Sequence, residues 1–210
     1  MRLLPGNMME IPPIAEFRQN HLPAAASFFW QWVQHPRETG AISPSSPFLA
    51  RAMAREAVAA GDGMVIELGA GTGVITQALV EAGVTPERLL IVEKNPSLAK
   101  ALRRRFADAR IVEGDATQID RIMHRHDGMA VSAIVSGLPL ILFDLRRQYA
   151  LLKKSFDVLK PQGRFLQFTY GPTVPVPRQI PERLALRAER AAFILRNVPP
   201  ATLWRFERKA

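Results

Sequence analysis

The sequence predicts an α/β protein with a doubly wound, mostly parallel, seven-stranded sheet and helices on both faces. From Met64 onward, short apolar runs alternate with helical patterns, and the connections between them are short. The apolar runs are nearly continuous, which is typical of parallel strands buried on both faces. With 210 residues, of which 48% are hydrophobic and 22% charged, the chain is long enough for one such domain and a short extension.

The elements from residue 43 onward follow in chain order. A helix, the second of the chain after one at 24–34, is expected from Pro47 to about Ala60, with Ser45 or Ser46 as its N-cap. The predicted strands are 64–68, 88–93, 109–113, 131–136 and 163–169, with two further candidates at 192–196 and 203–208. The predicted helices are 74–82, 96–106, 117–125, 144–159 and 182–190. Residues 1–42 are interpreted as an N-terminal extension and residues 43–210 as the domain.

The charge balance is strongly positive. Lys and Arg number 28 against 19 acidic residues, a net charge of +9, which indicates contact with nucleic acid or with an acidic membrane surface. The chain has no cysteine, which excludes disulfides and thiolate metal sites and fits a reducing compartment. His124 and His126 are interpreted as surface residues, so no metal site is expected.

The most informative stretch is 64–76, an apolar strand that carries Glu67 and then breaks into a glycine turn before a helix. The turn contains Gly69, Gly71 and Gly73. Glycines allow the backbone to approach a ligand closely, and free amides at a helix start favour electron-rich atoms. The next strand ends in Glu93, 20 residues after Gly73, where an acid can accept hydrogen bonds from both ribose hydroxyls of an adenosine.

The third strand ends in Asp115, which can accept a hydrogen bond from an adenine amino group, with the Ala116 amide beside it. Together the loops describe an adenosine-containing cofactor with a small charged group beyond it, and two kinds of cofactor fit. A dinucleotide is cradled by G-x-G-x-x-G, but here the spacing is G-x-G-x-G and Glu67 precedes it. A carboxylate beside a pyrophosphate is repulsive, whereas it suits a ligand with a cationic amino-acid end.

Three further passages are HPRETGAISPSS at 35–46, SGLPL at 136–140 and QFTYGP at 167–172. With the cofactor loops, they resemble the bacterial phospholipid N-methyltransferases, a family of the class I, Rossmann-like S-adenosylmethionine-dependent methyltransferases. The resemblance covers the chain from about Ser43 to its end. It implies S-adenosylmethionine as cofactor, S-adenosylhomocysteine as product, and successive methylation of phosphatidylethanolamine towards phosphatidylcholine.

The resemblance also implies the site residues. The cofactor side comprises Ser43, Ser45, Ser46, Glu67, Gly69, Gly71, Gly73, Glu93, Lys94, Asp115, Ala116 and Ser136. The acceptor side comprises Ser136, Leu138 and Tyr170. The Leu138 carbonyl, before Pro139, could orient the substrate amine. Tyr170 could orient the amine or the phosphate, or accept the proton that the ammonium must lose before it can be methylated.

Two other hypotheses stay open. The rRNA adenine dimethyltransferases share most of the cofactor loops but carry an Asn-Leu-Pro-Tyr type motif whose ring stacks on a flipped adenine. The matching positions here are Ser136, Leu138, Pro139 and Leu140, with Gly137 inserted, so Asn and Tyr are both missing. The other hypothesis is a domain that binds S-adenosylmethionine or RNA without catalysis, against which the intact cofactor residues argue.

The extension adds a membrane hypothesis. AAASFFWQWVQ at 24–34 predicts an amphipathic helix whose aromatic residues are Phe28, Phe29, Trp30 and Trp32. Tryptophan favours the head-group boundary of a bilayer, so we expect these residues to bind a membrane; packing on the core is the alternative. The expected protein is a cytoplasmic monomer, peripherally associated with the inner face of the cell membrane. Its expected partners are a phospholipid substrate and an anionic membrane surface, with no nucleic acid.

Overall fold

The computed structural model describes residues 45–125 and 130–209. The strands are β1 (Met64–Leu68), β2 (Leu89–Glu93), β3 (Arg110–Glu113), β4 (Val131–Ser136), β5 (Leu159–Tyr170), β6 (Leu186–Ile194) and β7 (Ala201–Arg208). The α-helices are α1 (Pro47–Val58), α2 (Val74–Glu81), α3 (Pro96–Arg105), α4 (Ile119–Met123), α5 (Leu145–Val158) and α6 (Gln179–Arg183). Short 3₁₀ helices lie at Pro86–Arg88, Ala116–Gln118 and Leu140–Leu142.

The sheet has the order β3-β2-β1-β4-β5-β7-β6. Strands β1 to β5 pair in parallel, and β7 pairs antiparallel with both β5 and β6. This confirms the predicted mostly parallel, seven-stranded sheet. The strand order reverses between β1 and β4, where Leu68 lies opposite Ser136. Ligands of open α/β sheets bind beyond the carboxyl ends of the strands at such a reversal.

Two hydrophobic cores cover the two faces of the sheet, as predicted. On one face α1, α2 and α3 pack on residues such as Val65 and Ile91. On the other face α4 and α5 pack on their neighbours Ile66 and Leu90. Since successive residues of a strand point to opposite faces, a strand between two helix layers is expected to be largely apolar, and every residue of β2 is buried. The carboxylate of Glu93 therefore ends a strand that is otherwise entirely aliphatic.

The predicted helix at 182–190 is wrong. Only Gln179–Arg183 is helical, and Leu186–Ile194 forms the edge strand β6, which also contains the start of the predicted strand at 192–196. The segment is rich in Ala, Leu, Arg and Glu, which favour helices locally. Pairing with β7 overrides that preference, because Arg187 and Glu189 lie opposite residues of the other charge, Glu207 and Arg205, and form ion pairs with them.

Several predicted features fall outside the described residues. These are the helix at 24–34 with Phe28, Phe29, Trp30 and Trp32, the cofactor-site candidate Ser43, and His126. Within 45–125 and 130–209, no helix is both long and apolar enough to cross a bilayer.

Candidate functional site

The loops after β1 and β4 meet at the reversal of strand order. The Gly137 amide donates to the Leu68 carbonyl at 2.8 Å, and a Cβ on Gly137 would lie 2.6 Å from the Gly69 carbonyl oxygen. A Cβ on Gly69, whose φ is +73°, would approach the Leu138 side chain to 2.6 Å. The two loops therefore contact each other with no room for a side chain between them, which fixes their relative position.

Gly71 differs from these glycines in its surroundings. Its φ is +57°, but a Cβ there would meet no atom within 4 Å. Its amide donates to Oε2 of Glu93 at 2.9 Å, so the carboxylate of β2 holds the loop of β1. Gly73, with φ +82°, begins α2 as its N-cap and lies against Leu102 and Phe106. The turn thus presents open space at Gly71, with a helix N-terminus behind it.

Glu93 is buried, and its two oxygens accept hydrogen bonds from the amides of Gly71 and Asn95, the second at 2.8 Å to Oε1. An ionised carboxylate has about four acceptor positions, so roughly two remain for a ligand. A pair of neighbouring hydroxyls, such as those of a ribose, matches those positions.

Glu67 is fully buried at the end of β1. Its Oε2 accepts a hydrogen bond from the Thr76 hydroxyl at 2.6 Å, and its Oε1 has no partner among the described residues. Burial raises the pKa of Glu67 to about 7; the hydrogen bonds from Thr76 oppose that rise, and the nearby Glu93 carboxylate adds to it. An unpaired carboxylate oxygen beside the glycine turn fits a cationic ligand group. Sequence reasoning did not identify Thr76.

Asp115 caps the 3₁₀ helix that begins at Ala116, and its side chain is already engaged. Oδ1 accepts hydrogen bonds from the Thr117 amide and hydroxyl at 2.9 and 2.8 Å, and Oδ2 pairs with Nζ of Lys94 at 2.9 Å. Burial alone would raise the pKa of Asp115, but these hydrogen bonds outweigh it and lower that pKa to about 2. Asp115 therefore stays ionised, and an adenine amino group would have to share it with Lys94.

Ser46 is the N-cap of α1, and Pro47 is its first residue, as predicted. The Ser46 hydroxyl accepts from the Leu49 amide at 3.3 Å, while the Ser46 amide donates to Oδ1 of Asn197 at 2.9 Å. Asn197 is fully buried in the turn between β6 and β7, and its side chain also donates to the Pro199 carbonyl. The buried Ser45 and its neighbour Ser46 are thus joined to that turn, a connection that sequence reasoning did not anticipate.

The loop after β4 is held by polar side chains of the sheet. The buried Ser136 hydroxyl accepts from the Leu138 amide at 3.3 Å. The Leu138 carbonyl accepts from the Leu140 amide and from Nε2 of Gln167, both at 2.9 Å. Both acceptor positions of that carbonyl are occupied, which counts against the expectation that it orients a substrate amine.

Gln167 lies opposite Ser136 on β5 and is buried. Its Nε2 donates both to the Leu138 carbonyl and to the Phe168 carbonyl, at 3.0 Å, which fixes the orientation of the amide group. Its Oε1 is then left without a partner among the described residues. Gln167 belongs to the QFTYGP passage, but no role was predicted for it; its signal in the sequence is a polar residue inside an otherwise apolar strand.

A cleft of about 580 Å³, including its open mouth, lies beside this loop. Its lining is mainly apolar and consists of Leu138, Pro139, Leu140, Ile141, Leu142, Phe168, Thr169, Tyr170, Thr173 and Pro175. Tyr170 packs edge-on against Phe168, with the ring centroids 5.5 Å apart. Burial raises the pKa of Tyr170, so its phenol stays protonated and is suited to donate a hydrogen bond rather than to accept a proton. The structure thus brings Leu138 and Tyr170 into one cleft.

Because Gly71 borders open space, Gly71→Val should block ligand binding while sparing the fold. The φ of +57° adds a strain of roughly 1–2 kcal/mol to the folded state, but no described atom clashes with the new Cβ. Titration calorimetry should detect no binding of S-adenosylmethionine to the variant. Gly83→Val is the matched control. Gly83 also has a positive φ, +94°, and open space around it, but it follows α2 at the amino-terminal ends of the parallel strands, away from the site. If both variants bind the cofactor equally well, the cofactor does not lie at Gly71.

Comparison with known proteins agrees with this architecture. The methyltransferase domain family matches residues 65–163. The ornithine lipid N-methyltransferase of Singulisphaera acidiphila is 33% identical over 180 residues, which is 83% of this chain and 91% of that relative. A ribosomal RNA small subunit methyltransferase A from Maridesulfovibrio salexigens is 43% identical, but over only 56 residues, 27% of this chain and 21% of that protein.

A solved structure shows the same fold at low identity. The O-methyltransferase from Bacillus cereus, in complex with S-adenosylhomocysteine, has a TM-score of 0.63 and 11% identity, covering 91% of this chain and 94% of that chain. The likeness extends over nearly the whole of both chains.

Proposed function

The chain belongs to the class I S-adenosylmethionine-dependent methyltransferases, and we propose that it methylates the amine of a membrane-lipid head group. The observation that carries the proposal is the apolar cleft beside the cofactor loops. The residue after Pro139, where the base-methylating enzymes place a ring, is the buried Leu140. The cleft therefore offers no stacking platform there, whereas its aliphatic walls suit the region where a head group joins its acyl chains.

The cofactor supplies a methyl group already activated on a sulfonium. In the proposal, Glu93 accepts the ribose hydroxyls, the ionised Glu67 faces the cationic amino-acid end, and Asp115 lies at the adenine. Their positions support these roles, since Glu67 lies near the end of β1, Glu93 ends β2 and Asp115 follows β3, which are three neighbouring strands of the sheet. Glu93 also accepts a hydrogen bond from the Gly71 amide.

On the acceptor side, this chain's contribution is mainly alignment. Gln167 and Ser136 hold the Leu138 loop, and the half-buried Tyr170 phenol donates a hydrogen bond to the head group in the cleft. The head-group ammonium must lose a proton before it has a lone pair. With its raised pKa, Tyr170 is unsuited to take that proton, and we propose that it passes to solvent at the cleft mouth.

Two acceptors of the same chemistry are proposed. Phosphatidylethanolamine, methylated towards phosphatidylcholine, is the acceptor that the resemblance to the phospholipid N-methyltransferases implies, while an ornithine lipid is favoured by the name of the relative from Singulisphaera acidiphila. Both carry a primary amine on a lipid. Labelled S-adenosylmethionine should be offered with vesicles that contain each lipid, and the products separated by chromatography. We expect label in an aminolipid; if neither lipid acquires label, the proposal is wrong.

Tyr170→Phe should lower the rate of lipid methylation about tenfold and leave cofactor affinity nearly unchanged, because one hydrogen bond to the acceptor is lost. Tyr149→Phe is the matched control: Tyr149 is the other tyrosine of the chain and lies on α5 against the second core. Initial rates and calorimetry on both variants decide the role. An unaltered rate in Tyr170→Phe would show that the ring only packs.

A further inference from the structure

We propose that the turn between β6 and β7 is a membrane-docking surface, formed by Phe193, Leu195, Arg196 and Val198 together with Phe48 at the start of α1. The proposal rests on the proposed lipid acceptor and specifies how the cleft reaches it. It adds a docking surface separate from the aromatic segment at 24–34.

Large apolar side chains are unusually exposed in this turn and in the residues beside it. Leu195 is 72% and Val198 is 82% exposed, and Phe193 and Phe48 are also exposed. Eight large hydrophobic side chains are exposed within 45–125 and 130–209, and six lie at or next to the carboxyl edge of the parallel strands. These six are Phe48, Ile141, Val174, Phe193, Leu195 and Val198. Single exposed apolar residues are ordinary, but such a concentration at one edge marks an interaction surface.

The topology places the turn next to the substrate cleft. Ala201, which starts β7, lies opposite both Tyr170 at the end of β5 and Ile194 at the end of β6. The cleft lies between the ends of β4 and β5, and the turn lies on the other side of β5. Ile141 connects the cleft with the exposed apolar residues at this edge, since it is itself exposed and also lines the cleft.

The turn is joined to the start of α1 by two contacts. Asn197 is fully buried between the exposed residues, and its Oδ1 accepts a hydrogen bond from the Ser46 amide, so the turn and the start of α1 are joined. The Arg196 guanidinium stacks over the Phe48 ring at 5.3 Å and strengthens that junction. Leu195 and Val198 are therefore exposed on either side of a residue that is buried and hydrogen-bonded to α1.

The charges at this edge select an acidic bilayer as the occupant. Arg196 is exposed in the turn, and Arg146 and Arg147 are exposed in the first turn of α5, which begins after the loop of β4. Apolar side chains that enter the head-group region, flanked by arginines that attract anionic lipid, are the usual composition of a peripheral membrane contact. The net charge of +9 also attracts the chain to an anionic bilayer.

The test compares full-length variants in vesicle sedimentation, with vesicles of phosphatidylethanolamine and phosphatidylglycerol. Leu195→Ser/Val198→Ser should bind at least about tenfold more weakly than the parent, because two apolar insertions are lost. The matched control, Val58→Ser/Val80→Ser, changes exposed valines at the ends of α1 and α2 on the opposite edge and should bind like the parent. Arg196→Gln should weaken binding about fivefold, and high salt should weaken it further.

The outcomes separate this proposal from the proposed function. With lysophosphatidylethanolamine below its micelle concentration as acceptor, the parent and Leu195→Ser/Val198→Ser should react at equal rates. If the parent methylates no lipid, the proposed function fails, and the vesicle comparison still decides the surface. If both the double variant and Arg196→Gln bind vesicles as strongly as the parent, the proposed docking surface is wrong. A lower melting temperature of the double variant with unchanged vesicle binding also overturns it, since residues 1–44 or a second copy would then cover the turn.

Discussion

Glu93→Ala is expected to weaken S-adenosylmethionine binding at least about 100-fold. Two hydrogen bonds from ligand hydroxyls to a carboxylate contribute about 1.5–3 kcal/mol each before compensation. The change has a second effect, because Oε2 of Glu93 holds the Gly71 amide and Oε1 holds the Asn95 amide. Without the carboxylate the glycine turn loses its anchor to β2, so the remaining contacts to the ligand weaken as well.

A matched control lies on the adjacent strand. Glu113 ends β3 directly opposite Glu93, but it is exposed and pairs with Arg103 at 3.6 Å. Calorimetry should therefore find that Glu113→Ala binds the cofactor like the parent. Circular dichroism should show both variants folded. If Glu93→Ala binds as tightly as Glu113→Ala, the ribose does not lie at Glu93.

Glu67→Gln is expected to stabilise the ligand-free protein at neutral and alkaline pH. The pKa of Glu67 is about 7 in the folded chain against an ordinary value of 4.5. Between those values the folded state binds the extra proton, so Glu67 makes the folded state less stable as the pH rises from about 4.5 through 7. The neutral glutamine avoids that loss, which amounts to roughly 2–4 kcal/mol at pH 8. In thermal melts, the melting temperature of the variant relative to that of the parent should rise from pH 5 to pH 8.

The same substitution, which stabilises the ligand-free protein, should weaken binding of the cofactor. A cationic ligand group is attracted only to the ionised form of Glu67, so the parent's affinity should rise about tenfold between pH 5.5 and 7.5. The affinity of Glu67→Gln should be lower at pH 7.5 and nearly flat over that range. A parent and a variant with the same pH profile would show that the unpaired Oε1 does not face the cofactor.

The parts of the site that could be predicted are those set by local sequence. Buried parallel strands are largely apolar, so β1, β2 and β4 stand out in the sequence, and the polar residues at their ends are identified with them. The N-cap Ser46 and Pro47 follow from the chemistry of a helix start.

What could not be predicted depends on contacts between distant residues. Local propensity favours a helix at 186–190, and only the partner strand β7 makes it a strand. The bond between Ser46 and Asn197 joins residues 151 positions apart, and the bond between Gln167 and Leu138 depends on the register of β4 and β5. The first contact leaves no pattern in the sequence around it, and the second leaves only a polar residue in an apolar strand, which does not identify the partner.

The central claim is that the methyl acceptor is a lipid amine. The most direct test is a single reaction in which the full-length protein, labelled S-adenosylmethionine, aminolipid vesicles and unmodified small ribosomal subunits are present together. Extraction then separates the lipid from the RNA. We expect the label in the lipid fraction, with the rate lowered in Tyr170→Phe. Label in ribosomal RNA and none in lipid would contradict the claim and identify a base-methylating enzyme.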